Sequence, residues 1–243
     1  MFVPLLAYVL DRLPFGNSLK GISRRRLSDL MWQSKAPSWH EYAILSRNRR
    51  KHACVACRWL SAVLPRDAAI FEPGCGSGAN LLWLGQQGFT HLYGADIERC
   101  ALELGRNLAS SLSLPLDIWR DDGMSPMRLP DNLDAILSVN WLYHIPDATL
   151  GAFLGRYHDA LKIGGYLACD MVTRHYDGVP GNQWHTKDMK LPKEKRRPSE
   201  YTIRLDAAEV NSIAVRHGFA VIRSTCFALS RPQRAVYLLR RTE

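Results

Sequence analysis

The stretch Ala69-Ile-Phe-Glu-Pro-Gly-Cys-Gly-Ser-Gly-Ala-Asn-Leu-Leu82 decides the fold. The apolar run Ala68 to Phe71 reads as a buried strand. Gly74, Gly76 and Gly78 follow at alternate positions, and Asn80, Leu81, Leu82 and Leu84 begin a helical pattern. Strand, glycine turn and helix together outline a nucleotide-binding loop. Glycine lets the backbone turn sharply and approach a ligand with no Cβ in the way. The helix start offers unsatisfied N–H groups at the positive end of its dipole. Gly74-x-Gly76-x-x-Ala79 also satisfies the dinucleotide fingerprint, so the glycines alone leave two readings. Two carboxylates weigh between them. Glu72, just before the first glycine, is placed to pair with a ligand ammonium and would repel a pyrophosphate. Further out, His91-Leu-Tyr-Gly-Ala-Asp-Ile-Glu98 reads as a second strand ending at Asp96, where a carboxylate can accept both ribose hydroxyls. An amino-acid-bearing nucleoside fits these two acids better than a dinucleotide does.

Strand and helix patterns alternate from this point on. A helix to about Gln87 is closed by Gly88. The helix from Glu98 to Ser111 turns Ala101, Leu102, Leu104 and Leu108 inward, and Leu114 to Trp119 reads as a third strand. Leu133-Asp-Ala-Ile-Leu-Ser-Val-Asn140 is a fourth strand. Pro146 and Asp147 open a helix to about Lys162, which Gly164-Gly165 breaks, and Tyr166 to Thr173 is a fifth strand. Residues 174–205 do not read as core, and a connection of that length is usually functional. Asp206, with Glu209 three residues on, caps a helix to about His217. Ala220 to Leu229 and Ala235 to Arg240 are two closing strands.

Before the glycine loop, Pro37-Ser38 with Glu41 marks a helix start. Helical pattern then runs to about Leu64, with a break expected near Ser46. Arg24-Arg-Arg26 is a basic cluster suited to a phosphate, a nucleic acid or an anionic membrane surface, or simply a solvated helix face. Met1-Phe-Val-Pro-Leu-Leu-Ala-Tyr-Val-Leu10 is apolar, but Asp11 and Arg12 interrupt it well short of a membrane span. It lacks the basic flank and small-residue cleavage site of a signal peptide, and reads as a docking helix or peripheral membrane contact.

With Glu72-Pro-Gly-Cys-Gly-Ser-Gly78, Gly94-Ala-Asp-Ile97, Leu133-Asp-Ala-Ile-Leu-Ser-Val-Asn140 and Leu161-Lys-Ile-Gly-Gly-Tyr-Leu167 in this order, the chain resembles the class I S-adenosylmethionine (SAM)-dependent methyltransferases. The resemblance spans roughly Ala68 to Thr173. It implies an α/β, Rossmann-like doubly wound sheet, mostly parallel with an antiparallel C-terminal hairpin, and an N-terminal helical cap. The expected organisation is a cap over residues 1–64 and a SAM-dependent domain over 65–243, with the insertion at 174–205. The implied cofactor is SAM, held by Glu72, Gly74, Cys75, Gly76, Gly78, Asn80, Asp96, Ile97, Gly123, Asn140 and Trp141. An acid after strand three, Asp121 or Asp122, would contact the adenine amino group, with Asp122 slightly favoured because a small residue follows it. Trp39, His40 and Tyr42 would form part of the cap.

Methyl transfer from a sulfonium needs in-line alignment and exclusion of water, and no metal. The sequence has no clear metal-ligand spacing: Cys54-Val-Ala-Cys57 lacks a second ligand pair and falls on a helical pattern. A hydroxyl acceptor calls for a base, and His144, directly after strand four, is the best-placed histidine, followed by His185 and then His175 in the insertion. The net charge of +9 favours anionic partners. The Asn-Pro-Pro-Tyr type tetrapeptide that marks nucleobase methylation is absent after strand four. The expected acceptor is therefore a small molecule, anionic or sugar-like, gripped by Arg196 and Arg197 of an insertion acting as a lid. The alternatives are a nucleic-acid methyltransferase and a dinucleotide-dependent oxidoreductase. The six cysteines form no extracellular framework, which suits free thiols and a cytoplasmic location.

Overall fold

The computed structural model describes residues 19–45 and 51–243. The apolar segment Met1–Leu10 and the break expected near Ser46 lie outside them. Among the described residues no helix is long and apolar enough to cross a membrane.

Among the described residues three helices precede the sheet: α1 (Arg24–Ser34), α2 (Trp39–Leu45) and α3 (Lys51–Val63). Then come β1 (Ala69–Pro73), α4 (Ala79–Gln86), β2 (His91–Asp96), α5 (Arg99–Leu112), β3 (Asp117–Arg120) and β4 (Leu133–Ser138). The chain closes with α6 (Leu150–Ala160), β5 (Leu161–Val172), α7 (Ala207–Arg216), β6 (Phe219–Phe227) and β7 (Arg234–Arg241). The seven strands are ordered β3-β2-β1-β4-β5-β7-β6. β1 to β5 are parallel, and β7 lies antiparallel between β5 and β6. This is the doubly wound sheet with an antiparallel hairpin that the motifs imply. The strand order reverses between β1 and β4, and such a switch point opens a crevice at the carboxyl ends of the strands.

Two apolar layers cover the sheet. One joins α1, α3, α4 and α5 to one face through Leu27, Trp59, Leu81 and Leu108, all buried. The other joins α6, α7 and the insertion to the opposite face through Phe153, Tyr157, Ile203 and Val210. The helices before residue 64 thus share a core with the sheet. Asp206 caps α7 in a full capping box with Glu209.

Two expectations are corrected. The third strand starts at Asp117, not Leu114, because the end of α5 is capped by Ser113 in the left-handed region (φ 52°) and the Leu114 N–H bonds back to Ala109. Gly164-Gly165 does not end a helix. The helix stops at Ala160, and the glycines lie inside β5 beside a shift in its pairing with β4. A Cβ on Gly165 would come within 2.9 Å of the Lys162 carbonyl oxygen.

Candidate active site

The glycine loop sits at the switch point. Gly74, Gly76 and Gly78 all have positive φ (64°, 54° and 65°), which explains why the sequence carries glycine at these alternate positions. The loop is anchored to β2: the Cys75 N–H donates to the Ala95 carbonyl, and the Gly76 N–H donates to Asp96 Oδ2 at 2.7 Å. Asp96 Oδ1 accepts the Glu98 N–H at 2.8 Å. Each carboxylate oxygen retains a second acceptor direction, so Asp96 orders the loop and is still able to accept hydroxyls. Glu72 is 2% exposed, and its Oε1 accepts Asn80 Nδ2 at 2.6 Å. Cys75 is buried against Gly94, and burial, Glu72 and Asp96 push its thiol well up, so it is a protonated packing group. Ile97, the next residue after Asp96, is 68% exposed.

Three loops meet over Gly74. A Cβ at Gly74 would stand 2.4 Å from the Trp141 ring, and one at Gly123 would stand 3.1 Å from both the Gly74 nitrogen and Trp141. The ends of β1, β3 and β4 therefore close together only because two of the three contributing residues have no side chain. From the other side α2 covers the loop. Trp39 and His40 stack with centroids 3.6 Å apart, and their rings lie within 3.6 Å of where a Cβ on Gly76 would be. His40 is fully buried, with Glu98 Oε2 3.7 Å from its Nε2, and burial lowers its pKa to about 4.

Asp121 and Asp122 part company. Burial works against ionisation of Asp121, but N–H groups of Arg128, Met127 and Asp122 outweigh it and hold the carboxyl below its ordinary value. Asp121 is thus committed to shaping its own loop. Asp122 is exposed and accepts one bond, from the Met124 N–H.

The described residues give a fit test for a cationic, amino-acid-bearing nucleoside. Glu72, Asp96, Glu98 and Asp122 gather at the ends of β1 to β3, and Glu98 is raised by burial and by repulsion from Asp96. Crowded carboxylates welcome an ammonium and a sulfonium and oppose a pyrophosphate. Three positive-φ glycines supply the close backbone approach. The residues fit SAM and disfavour a dinucleotide.

Beyond β4 the chain turns towards β5 and β7. Asn140 (φ 60°) donates its N–H to Asp170 Oδ1 at 2.7 Å, and its Oδ1 accepts Arg234 Nη1 at 2.6 Å. Its side chain is therefore directed to the β5–β7 edge and away from the glycine loop. His144 ends a 3-10 turn (Leu142–His144), and its Nδ1 lies 2.6 Å from the Glu200 carbonyl oxygen. The contact fixes Nδ1–H as donor and leaves Nε2 with the lone pair. Burial lowers the His144 pKa against the opposing pull of Glu200, which keeps the ring neutral at neutral pH. Tyr201 stacks on it at 5.9 Å.

The insertion folds onto this corner. The Thr202 N–H and hydroxyl donate to the Tyr143 carbonyl, and Val172 bridges to Arg204. His185 caps a 3-10 turn by accepting the Lys187 N–H, with its Nδ1 3.8 Å from Glu200 Oε2. His144 and His185 thus meet through Glu200, which the sequence reading did not single out. His175 lies in a separate 3-10 turn, Arg174–Gly178. Arg196 and Arg197, expected to grip the acceptor, each bond within the insertion. Arg197 forms a two-pronged pair with Asp188 (2.7 and 2.9 Å), and Arg196 Nε donates to the Leu191 carbonyl. A cleft of about 420 Å³ opens beside Tyr201, walled by Arg174, Asp177 and Arg204 among others. Its two arginines are already paired, Arg174 with Glu209 and Arg204 with Asp177.

Comparison with known proteins followed the same lines. Residues 70–165 match the sequence model of a family described as a methyltransferase domain. No curated protein matches the chain. Magnesium protoporphyrin IX methyltransferase from Synechocystis, solved with bound S-adenosylhomocysteine (SAH), superposes with a TM-score of 0.63 at 16% identity, covering 88% of this chain and 94% of that one. The 1,6-didemethyltoxoflavin-N1-methyltransferase of Burkholderia thailandensis, solved with 1,6-didemethyltoxoflavin and SAH, gives 0.62 at 16% identity over 91% and 92%. A SAM-dependent methyltransferase from Methanosarcina mazei gives 0.62 at 17% identity over 76% and 97%.

Proposed function

Starting from a chain that belongs to the class I SAM-dependent methyltransferases, we propose that it methylates a small-molecule acceptor, anionic or sugar-like, with His144 as the general base. The observation that carries this reading is the Nδ1 contact of His144 with the Glu200 carbonyl, which presents a neutral imidazole with Nε2 able to take a proton at the end of β4. SAM, when bound, supplies a methyl group on a sulfonium that is already a good electrophile.

The chain's own residues would do the rest. Glu72 faces the ammonium and Asp96 the ribose hydroxyls, with the glycine loop, Asn80 and Ile97 completing the cradle and Asp122 placed for the adenine amino group. Trp141 on one side and Trp39 with His40 on the other cover the loop and exclude water. His185 acts as a positioning residue through Glu200, and the insertion walls the acceptor. Two proteins of this fold are named for small acceptors, a porphyrin and a toxoflavin precursor, which supports the class of acceptor assigned here.

The test is a transfer screen with methyl-labelled SAM against metabolite fractions and, in parallel, RNA. Label entering a low-molecular-weight fraction supports the reading. Label entering RNA alone would replace it with the nucleic-acid alternative that the +9 charge and the exposed Arg24-Arg25-Arg26 cluster favour. In the active fraction His144→Ala should lower turnover by about a hundredfold and leave SAH affinity, read by calorimetry, unchanged. Loss of SAH binding with turnover retained at saturating SAM would make His144 a cofactor contact.

A further inference from the structure

A second group of ionisable side chains lies at the far end of the same sheet edge, around the first rung of the hairpin. Phe227 and Arg234 are paired across β6 and β7, and Arg234 is also in register with Val172 at the end of β5. The Arg234 guanidinium is held from below by Asp170, fully buried, whose Oδ2 lies 3.1 Å from Nη1, and it stacks on the Tyr143 ring at 4.5 Å. These contacts fix the plane of the fork at the sheet edge, next to the exposed Asn140.

The start of α3 comes down on the same rung. Lys51 Nζ stands 5.5 Å over the Phe227 ring, and the His52 ring meets that ring edge-on at 4.7 Å. His52 is 4% exposed, and neither of its ring nitrogens has a hydrogen-bond partner among the described residues. A buried imidazole without a partner destabilises the fold, so its presence calls for a group that the described residues do not supply.

The charge balance says which kind of group. Asp170 offsets one of the two cations, leaving an excess positive charge at the first turn of a helix, where the dipole already disfavours it. Burial and then Arg234 push Lys51 below its ordinary value. Burial, Arg234 and Lys51 push His52 well down. Arg234 is already held by Asp170 and Asn140, whereas Lys51 and the His52 imidazole lack an acceptor among the described residues, and a single anionic oxygen group would serve both. The 420 Å³ cleft makes no such demand for an anion, because its two arginines are paired and Asp147 adds a negative charge to its wall.

We propose that Lys51, His52 and Arg234 form a subsite that binds a carboxylate of the methyl acceptor. The proposal rests on the reading of the chain as a small-molecule methyltransferase. The subsite shares an edge with Asn140 and, through the Tyr143 stack, adjoins His144, whose ring centroid is 4.5 Å from that of Tyr143. A carboxylate seated here anchors the acceptor next to the proposed base. Arg234 grips it with the guanidinium fork, Lys51 adds a point charge, and His52 donates from a ring nitrogen that now has an acceptor.

Calorimetry on the full chain loaded with SAH tests this with acetate, benzoate and indole-3-acetate, each beside its neutral amide. At least one carboxylate should bind saturably and its amide should not. Lys51→Met and His52→Leu should each weaken the bound carboxylate roughly tenfold while SAH affinity stays as in the wild type. His52→Leu should also melt at an equal or higher temperature, because it removes a buried polar group without a partner. Carboxylates that fail to bind, amides that bind equally well, variants that keep wild-type affinity, or a His52→Leu protein of clearly lower melting temperature would each overturn the proposal. Loss of SAH binding in either variant would do so too, by making these residues cofactor contacts. A wild-type chain that binds SAH and carboxylate but transfers no methyl group to a small molecule separates failure of the functional reading from failure of the subsite.

Discussion

The two ends of the sheet's carboxyl edge are built from opposite charges. At the ends of β1, β2 and β3, Glu72, Asp96, Glu98 and Asp122 gather around a glycine loop with almost no side-chain bulk. At the ends of β5, β6 and β7, Lys51 and Arg234 gather around Phe227, with Asp170 buried beneath. Each end also holds a buried, neutral histidine: His40 over the glycine loop and His52 over Phe227. His144 lies between the two, after β4. The contrast teaches that one fold edge can be divided electrostatically; on the proposed function, the acidic half would draw the cationic cofactor and the basic half an anionic acceptor.

The largest expected effect falls on the basic half. Asp170→Ala leaves Arg234 buried without its counter-ion and should cost about 3–5 kcal/mol in urea unfolding. A loss below about 1 kcal/mol would mean that the pair is solvated and that this half is not a fixed cationic site.

The acidic half comes next. Asp96→Ala should weaken SAH by about 1–3 kcal/mol, since it removes the proposed acceptor of the ribose hydroxyls as well as an anchor of the loop. Calorimetry showing wild-type affinity in a folded variant would remove Asp96 from the cofactor site.

A smaller effect concerns His40. The unfolded chain takes up a proton near the ordinary histidine value of 6.5, whereas the folded protein resists until about 4. The contribution is therefore neutral above 6.5, and stability is lost as pH falls from 6.5 towards 4, amounting to at most about 2 kcal/mol at pH 5. His40→Phe should remove this part of the acid dependence, measured as melting temperature against pH. An unchanged profile would place the ring in contact with solvent.

The smallest effect separates the two candidate anion sites. The Arg196→Ala and Arg197→Ala double variant should change acceptor KM by roughly twofold or less, because Arg197 is spent on an exposed pair with Asp188. A large rise in KM would return the anion site to the insertion.

Much of the acidic half was legible in the sequence because it is local. Glu72, the alternating glycines and Asp96 lie within one strand-turn-helix-strand unit, and glycine takes the positive φ found at Gly74, Gly76 and Gly78 without the cost a Cβ would add. The succession of strands and helices along the chain followed from the same alternation, and the capping box at Asp206 and Glu209 is a four-residue signal. Where the reading slipped, long-range contacts overrode local ones. Gly164-Gly165 looks like a helix stop by composition, yet pairing with β4 draws it into β5.

The basic half was invisible for the complementary reason. Lys51, His52, Asp170 and Arg234 are scattered over most of the chain, and only the insertion of β7 between β5 and β6, with α3 laid across them, brings them to one rung. Asp170 was not singled out in the sequence, and only the structure shows that its partner is Arg234. Arg196 and Arg197 show the converse: as a run of charge they invite an anion, and only the folded insertion reveals that Asp188 and the Leu191 carbonyl already hold them. The sequence by itself determined the fold and the glycine loop, because backbone conformation and hydrophobic period are written in neighbouring residues. Tertiary structure decided which charges face each other and which stand without a partner, because electrostatic pairing depends on distance in space and on exclusion of water, neither of which sequence separation records.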